Sequence, residues 1–185
     1  MALQLPRHKF TVHEYEQLGV SGIFSEDDRV ELLDGDIVEM SPLGLRHVRC
    51  VNRLTMLLAP RLVGRAIVQV QSSLKLDVHW EPQPDVAVLR LRADDYRSGL
   101  PTGADVVLLI EVVDSSRDYD RAKLPAYARS GIPEVWLVDL SQDLIEVYAR
   151  PVKGAYREFQ QLKRGESVVA RTIAGLTLRV DRILG

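Results

Sequence analysis

One apolar run constrains the fold of this chain more than any other segment. Residues 106–113 read Val-Val-Leu-Leu-Ile-Glu-Val-Val, so the run contains a single acid, Glu111. A continuous series of branched apolar residues is typical of a strand that is buried on both faces. A carboxylate inside such a strand loses hydration, which costs free energy unless a cation, a hydrogen bond or a proton compensates. The run therefore predicts a buried strand whose one acid needs a partner.

A second acid stands at the head of another apolar segment. Asp85 follows Gln83-Pro84 and precedes Val-Ala-Val-Leu at residues 86–89. Neighbouring strands lie about 4.8 Å apart, so carboxylates on one face of adjacent strands can share a cation. Oxygen ligands favour hard ions such as Mg²⁺ or Mn²⁺, and hydrated Mg²⁺ usually acts on phosphates. Asp85 and Glu111 are therefore candidate metal ligands. The alternatives are an Asp85 that caps a turn and a Glu111 that is neutral or paired with an arginine.

A basic group is needed beside such a pair, and the strand itself does not supply one. Side chains alternate along a strand, so residue 113 shares a face with Glu111, but it is the uncharged Val113. The nearest downstream base is Lys123, close to the predicted start of a helix. A lysine there can reach back over the strand end towards a water nucleophile and a phosphate. Lys123 is therefore the candidate base of the site.

Composition limits the class of protein. The chain has 185 residues, 46% hydrophobic and 27% charged, which predicts one globular domain over residues 1–185. The single Cys50 excludes an intrachain disulfide and a multi-cysteine zinc site, so we expect a cytoplasmic protein. Residues 1–20 hold several charged side chains and no long apolar run, and no segment reaches about 18 apolar residues, so we expect neither a signal peptide nor a membrane span. A net charge of −2 gives no general basic excess for nucleic-acid binding, although a local basic face stays possible.

Local patterns predict the first elements. Thr11 and Glu14 form a capping-box pattern that begins a short helix ending near Leu18. Asp34-Gly35 lies between two apolar segments and predicts a β-hairpin, since both turn positions need a positive φ. A helix from about residue 45 to residue 63 is predicted by a stripe of inward-facing positions spaced three or four apart. The stripe consists of His47, Val51, Leu54 and Leu58.

Strands dominate the rest of the chain. We predict strands at about 66–71, 73–79, 85–91 and 105–113, then a helix over about 121–130. Pro125 is best tolerated in a first helical turn, so the regular helix is expected to begin near Lys123. A hairpin over 134–148 and weaker strands near 156–162 and 176–180 follow. This order predicts an α+β or α/β domain with a mixed β-sheet.

Three stretches resemble the Uma-type restriction-endonuclease family. They read Glu-Val-Val-Asp-Ser-Ser from Glu111, Tyr-Asp-Arg-Ala-Lys-Leu-Pro-Ala-Tyr-Ala from Tyr119, and Gly-Ile-Pro-Glu-Val-Trp-Leu-Val-Asp from Gly131. Pro84-Asp85 and the segment Val-Glu-Leu-Leu-Asp-Gly at residues 30–35 resemble its other marks. The likeness covers nearly the whole chain and is weakest after Pro151. It implies the restriction-endonuclease-like fold, a mixed sheet flanked by helices, with an N-terminal helix and β-hairpin.

The resemblance also implies roles for individual residues. The wider nuclease motif is Pro-Asp, then Asp or Glu, any residue, and Lys. By that likeness Asp85 and Glu111 are metal ligands for Mg²⁺ or Mn²⁺, and Glu31 matches an additional acid N-terminal to the pair. The motif lysine is replaced by Val113, and Lys123 stands in for it. The implied activity is metal-dependent hydrolysis of phosphodiester bonds, with DNA as substrate and a homodimer as the assembly.

Five further positions have a structural interpretation, which for some of them competes with a functional one. His47 points inward from its helix, either as a hydrogen-bonded core residue or as part of the site. Gln71 either contacts a bound water or lies on a half-buried strand. Tyr127 follows Lys123 by four residues and so lies on the same helical side, where packing is its expected role. Asp118 and Asp120 are expected to form a solvated, helix-capping cluster.

Three functions compete at this point. The first is a metal-dependent nuclease, the second a catalytically weak or inactive metal- and nucleic-acid-binding module on the same fold, and the third a structural protein whose acids are satisfied internally. A homodimer is expected because the apolar strands at 135–138 and 145–148 need cover. The alternative is that the C-terminal strands, from about residue 155 to residue 184, cover them within one chain.

Overall fold

The architecture is a six-stranded mixed sheet between two layers. The structure, a computed structural model, describes residues 7–24, 28–114 and 117–185, so Ser115 and Ser116 of the motif lie outside the described residues. The helices are α1 (Val12–Val20), α2 (Leu45–Leu62), α3 (Arg117–Arg129) and α4 (Val180–Leu184). The strands are β1 (Val30–Leu33), β2 (Asp36–Glu39), β3 (Ile67–Val70), β4 (Val86–Leu89), β5 (Val106–Val113), β6 (Glu134–Asp139), β7 (Leu144–Val152), β8 (Ala155–Lys163), β9 (Ser167–Val169) and β10 (Thr177–Arg179).

The large sheet has the strand order β3-β4-β5-β6-β7-β8. Strands β5 and β6 are parallel, and the other neighbours are antiparallel. The parallel pair requires a crossover, which α3 provides. The predicted fold class, a mixed sheet flanked by helices, is confirmed. Two small antiparallel pairs, β1-β2 and β9-β10, flank the large sheet.

Strand β5 lies in the middle of the molecule and is buried on both faces, as predicted. On one face Leu108, Ile110 and Val112 belong to a core that includes α2 and the C-terminal elements. On the other face Leu109 and Val113 belong to a second core that includes side chains of α3. Side-chain alternation places Glu111 on the α3 face, among apolar neighbours.

The N-terminal predictions are also confirmed. The Thr11 hydroxyl accepts the Glu14 N–H at 3.2 Å, and the Thr11 N–H donates to the Glu14 carboxylate at 2.8 Å. Asp34 and Gly35 both have positive φ, 50° and 74°, and turn β1 into β2. The predicted stripe of α2 is buried against the sheet together with Cys50 and Leu62.

Two predicted elements differ from the structure. Residues 73–79 form no strand, because their backbone groups bond to separate partners: the Leu74 N–H to Pro82, the Lys75 N–H to Pro101 and the Leu76 N–H to Trp80. Helix α3 begins at Arg117, two turns before the predicted start near Lys123, so Pro125 lies inside the helix. Burial of the helix on the sheet outweighs the hydrogen bond that proline cannot donate.

The C-terminal segment covers the strands that were expected to need a partner. Strands β9 and β10 and helix α4, of which only a strand near β10 was predicted, contribute side chains to the core around α2. Trp136, Val138, Ile145 and Val147 are buried there, each at most 3% exposed. Within the described residues, the C-terminal segment of the same chain therefore covers these strands. This is the alternative to cover by a partner chain.

An ion pair holds α3 to the sheet. The Arg121 guanidinium donates to both carboxylate oxygens of Glu146 on β7. Tyr148 Oη and Gln161 Nε2 donate to the same carboxylate, at 2.9 and 3.1 Å. Glu146 is 1% exposed, so this buried acid is fully engaged in fixing a helix. In the part of the chain that the structure describes, no helix is both long and apolar enough to cross a membrane.

A different buried acid, Glu81, lacks such support. Its backbone pairs with that of Leu32 through two hydrogen bonds of 2.9 and 3.2 Å, which fixes the residue beside β1. The side chain is buried, and its Oε2 atom has no hydrogen-bond partner among the described residues. Burial raises the pKa of Glu81 to about 7, from an ordinary value of 4.5, and a hydrogen bond from Ser73 offsets this only in part.

We predict that Glu81→Gln stabilises the protein above pH 7. As the pH rises from about 4.5 to about 7, the unfolded carboxyl loses its proton while the folded one keeps it, so wild type loses stability across that window. The variant does not titrate there. Its free energy of unfolding should exceed that of wild type by at most about 3 kcal/mol at pH 8 and by little at pH 4, as measured by urea denaturation. An equal gain at both pH values would contradict the assignment.

Candidate active site

The candidate residues converge where strands β4 and β5 have neighbouring ends, on one side of the large sheet. Asp85 directly precedes β4, Glu111 lies near the carboxyl end of β5, and α3 crosses above that end. Between them is a cleft of about 380 Å³. Its wall carries charged and polar side chains from five segments of the chain, among them Arg29, His47, Asp85, Glu111, Asp114, Tyr119, Asp120 and Lys123.

Asp85 and Glu111 are held in direct contact through the backbone. The Asp85 N–H donates to Glu111 Oε2 at 3.1 Å, and the Val112 N–H donates to Asp85 Oδ2 at 2.8 Å. These bonds arise because β4 and β5 pair antiparallel, with Val86 opposite Ile110. The two carboxylates, 8% and 2% exposed as residues, therefore lie side by side at the base of the cleft.

Two other candidates contact Asp85. His47 Nε2 lies 3.0 Å from Asp85 Oδ2, and Gln71 Nε2 donates to Asp85 Oδ1 at 3.4 Å. Since the carboxylate accepts, His47 Nε2 carries a proton in this contact. The other ring nitrogen, Nδ1, is buried without a partner among the described residues. His47 is therefore both an inward-facing residue of α2 and a part of the candidate site.

Lys123 lies among three carboxylates. Its Nζ is 2.9 Å from Glu31 Oε1, 3.5 Å from Glu111 Oε1 and 3.7 Å from Asp120 Oδ1. The residue is 2% exposed. Burial by itself lowers the pKa of Lys123, but the charges of Glu111, Glu31 and Asp120 together outweigh it and raise the pKa above its ordinary value. The ammonium is therefore protonated at neutral pH and can donate hydrogen bonds but cannot accept a proton.

Glu111 receives donors from several sides. Tyr127 Oη donates to Glu111 Oε1 at 2.5 Å, on the same oxygen that faces Lys123. Burial raises the pKa of Glu111 above its ordinary range, while the charge of Lys123 opposes that rise. Tyr127 is fully buried, so it packs in the core, as expected, and also orients this carboxylate.

Glu31 lies behind Lys123 and does not line the cleft. It is completely buried on β1, where it accepts the Gln83 N–H at 3.0 Å and the hydroxyl of Tyr119. The Lys123 ammonium in turn lies over the Tyr119 ring, 4.8 Å from its centre. Glu31 therefore joins the hairpin to α3 through the buried lysine, instead of facing solvent on the hairpin.

The donor set suits a hard cation held by few protein ligands. Among the described residues, no three His, Cys, Asp or Glu side chains are grouped so that they could hold a metal ion. Asp85 and Glu111 nevertheless both line the cleft with carboxylate oxygens. Mg²⁺ is commonly bound by one or two carboxylates with water at its other positions. The residues present therefore fit such an ion as a pair.

Sequence reasoning missed two members of the site. Asp120 is 7% exposed and faces Lys123, so the expectation of a solvated Asp120 is wrong, whereas Asp118 is exposed as predicted. Tyr119 bonds to Glu31 and contacts Lys123. The helical spacing of positions 119, 120, 123 and 127 places them on one side of a helix and could have identified both residues. This spacing was not used because Pro125 led us to predict that the regular helix begins near Lys123.

A mixed sheet with two adjoining acids at the ends of neighbouring strands, and a lysine beside them, is the arrangement that the resemblance of the sequence motifs implied. The chain belongs to the Uma2 family, described as "Putative restriction endonuclease", whose model matches residues 12–181. The resemblance of the sequence motifs is thereby confirmed, and the family supports a nuclease function in general terms.

A solved structure has the same fold. It is described as a "putative nuclease belonging to DUF820" from Anabaena variabilis and superposes with a TM-score of 0.70. The alignment covers 95% of this chain and 97% of that one, at 17% sequence identity. At this identity the likeness establishes the fold. No curated protein matches the chain.

Proposed function

We propose that this protein is a metal-dependent endonuclease that hydrolyses phosphodiester bonds of DNA. The observation that carries the proposal is the convergence of Asp85, Glu111 and Lys123 in one cleft, although they come from the start of β4, from β5 and from α3. A buried acid pair beside a buried cation costs desolvation free energy, and such arrangements cluster at functional sites. The family assignment supports a nucleic-acid substrate.

Asp85 and Glu111 are proposed to hold Mg²⁺ or Mn²⁺. Such an ion, when bound, polarises a phosphoryl oxygen and lowers the pKa of a bound water. The protein's own part is to hold both carboxylates in alignment. The Val112 N–H and His47 orient Asp85, and the Asp85 N–H and Tyr127 orient Glu111.

Lys123 is proposed to act as a fixed positive donor. Because its ammonium stays protonated, it serves to stabilise negative charge on the phosphate and to orient the attacking water through a hydrogen bond. Glu31 and Asp120 hold the ammonium in place and maintain its charge. Gln71 restrains Asp85 from the side of β3.

A second candidate function rests on a specific observation. The carboxylate of Glu111 already accepts from Tyr127, Lys123 and the Asp85 N–H, and Val113 occupies the position of the motif lysine. A site satisfied in this way suits a module that binds metal and nucleic acid but cuts weakly. Cleavage assays on DNA in Mg²⁺ and Mn²⁺ decide between a nuclease and such a module.

We predict that Mg²⁺ or Mn²⁺ raises the melting temperature of the wild type and that Asp85→Ala abolishes this rise. Adjacent carboxylates repel each other, and a bound cation relieves the repulsion. Isothermal calorimetry should give a Kd for wild type and little or no binding for Asp85→Ala. Asp118→Ala is the matched control, because that acid is exposed on α3 and does not line the cleft. Equal metal affinity in wild type and Asp85→Ala would remove the proposed metal site.

We predict that Lys123→Ala and Lys123→Met lower the turnover of DNA cleavage by about a hundredfold or more, the loss typical of a positioned catalytic group. Metal affinity should not fall, because removal of a cation makes the site more negative. Circular dichroism and melting temperature identify any loss of folding. Lys75→Ala, an exposed lysine of the loop before β4, is the control. If the folded variants cleave as fast as wild type, Lys123 has no catalytic role.

We propose further that cleavage of duplex DNA uses a homodimer, since a two-fold dimer presents one site to each strand. The surface that the structure offers is the edge strand β8, which spans Ala155–Lys163 and carries Phe159 at 56% exposure. We predict a mass of two chains in light scattering across a dilution series. Phe159→Lys should shift the mass to that of one chain. A mass near 20.8 kDa for wild type at every concentration would exclude the dimer.

A further inference from the structure

Four arginines lie together at the same strand ends of the large sheet as the candidate site. A second, smaller cavity of about 190 Å³ is lined by Arg46, Arg49, Arg53 and Arg164. Leu140 directly follows β6 and Arg164 directly follows β8, while Asp143 directly precedes β7. Because β5 and β6 are parallel and β7 and β8 alternate in direction, these residues lie at the edge where β5 ends beside Glu111.

Arg46 joins this cavity to the active-site cleft. One guanidinium nitrogen donates to the Leu140 carbonyl at 2.5 Å, and another lies 3.5 Å from Asp114 Oδ1. Leu140 lines the arginine cavity and Asp114 lines the cleft. The two depressions therefore adjoin each other at the Arg46 side chain, which is 63% exposed.

The four guanidinium groups are not equally occupied. Arg53 donates to the carbonyls of Ile183 and Leu184 and so anchors α4. Arg164 pairs with Asp143 at 3.0 Å, at a side-chain exposure of 42%. Arg49 is exposed, and within the described ranges it has no hydrogen bond or ion pair. Among the described side chains, only Asp114 and Asp143 form ion pairs with these four arginines.

We propose that Arg46, Arg49, Arg53 and Arg164 form a phosphate-binding strip that carries the DNA backbone away from the cleft. The inference rests on the proposed nuclease function, because it takes the cleft as the position of the cleaved phosphate. Arginine binds phosphate oxygens with its planar fork, and such contacts fix the register of a protein on DNA. The strip explains how a chain with a net charge of −2 binds a polyanion.

The spacing of the strip suits a nucleic-acid backbone. Arg46, Arg49 and Arg53 follow each other at steps of three and four, so they lie on one side of α2 over about 10 Å. Phosphates along one strand of DNA are separated by about 3.4 Å of helix axis, so the row spans about three of them. Duplex DNA is the occupant to which we commit. Acidic peptides are tested as an alternative below.

The test is DNA binding by fluorescence anisotropy without divalent metal, so that binding is measured apart from cleavage. Arg49→Glu/Arg164→Glu reverses two exposed charges of the strip and leaves the anchoring Arg53 intact. Its Kd for a 20-bp duplex should rise about tenfold or more, and by the same factor for unrelated sequences. The negative slope of log K against log salt should become less steep by about two. Arg49→Ala, which removes no side-chain hydrogen bond or ion pair within the described residues, should show a smaller loss in the same direction.

The control is Arg7→Glu/Arg97→Glu, which makes the same change in net charge. Arg7 precedes α1 and Arg97 lies in the loop after β4; both are exposed, and neither lines the strip or the cleft. If strip and control variants lose equal affinity, or if wild type does not bind the duplex, the strip is refuted. If an oligoglutamate peptide binds more tightly than DNA in a strip-dependent way, the committed occupant is wrong. Strip-dependent binding without cleavage would support the strip and refute the proposed nuclease.

Discussion

The buried ammonium of Lys123 is the interaction on which the site depends. It lies within 2.9 to 3.7 Å of carboxylates from β1, β5 and its own helix, and no solvent screens these charges effectively. Loss of one partner from such a cluster typically costs about 3–5 kcal/mol, because the remaining charges stay buried. The cluster therefore fixes how the N-terminal hairpin, the central strand and α3 sit together. It also holds the Glu111 carboxylate in position, while the pairing of β4 with β5 sets that carboxylate beside Asp85.

Burial of an acid alone would not have identified the site. Glu134 is completely buried but accepts from Trp136 Nε1 and from the backbone and hydroxyl of Thr172, so it links the sheet to the C-terminal segment. Glu146 is equally engaged by Arg121. Asp85 and Glu111 differ from these two acids because both are buried yet line the cleft, as Asp120 also does. The sequence could indicate this pair because each acid adjoins an apolar strand and strands of that kind pair side by side.

The patterns that predicted the fold correctly were those in which one interaction dominates. The run at 106–113, the stripe of α2 and the Asp34-Gly35 turn each strongly favour one local structure: a buried strand, a helix packed on the sheet and a hairpin turn. Residues 73–79 alternate like a strand, but among the described residues they form only isolated bridges and no continuous ladder with a neighbouring strand. Pro125 disfavours a helix locally, yet the buried face of α3 overrides it. The net charge gave no indication of the basic strip. Arg164 is distant in sequence from the arginines of α2 and lies beside them only in the folded chain.

The position of the lysine on a helix has a consequence for how the protein can evolve. A lysine at residue 113 would stand two residues from Glu111 on the same strand, at a separation of about 6.6 Å that the backbone itself enforces. Lys123 instead depends on where α3 rests, and that is governed by side chains, including the Arg121–Glu146 pair two strands away from β5. The position of this ammonium is thus set by side-chain packing and not by the spacing of residues along one strand. Exchanges on β7, far from the cleft, can retune the site without altering any residue that lines it.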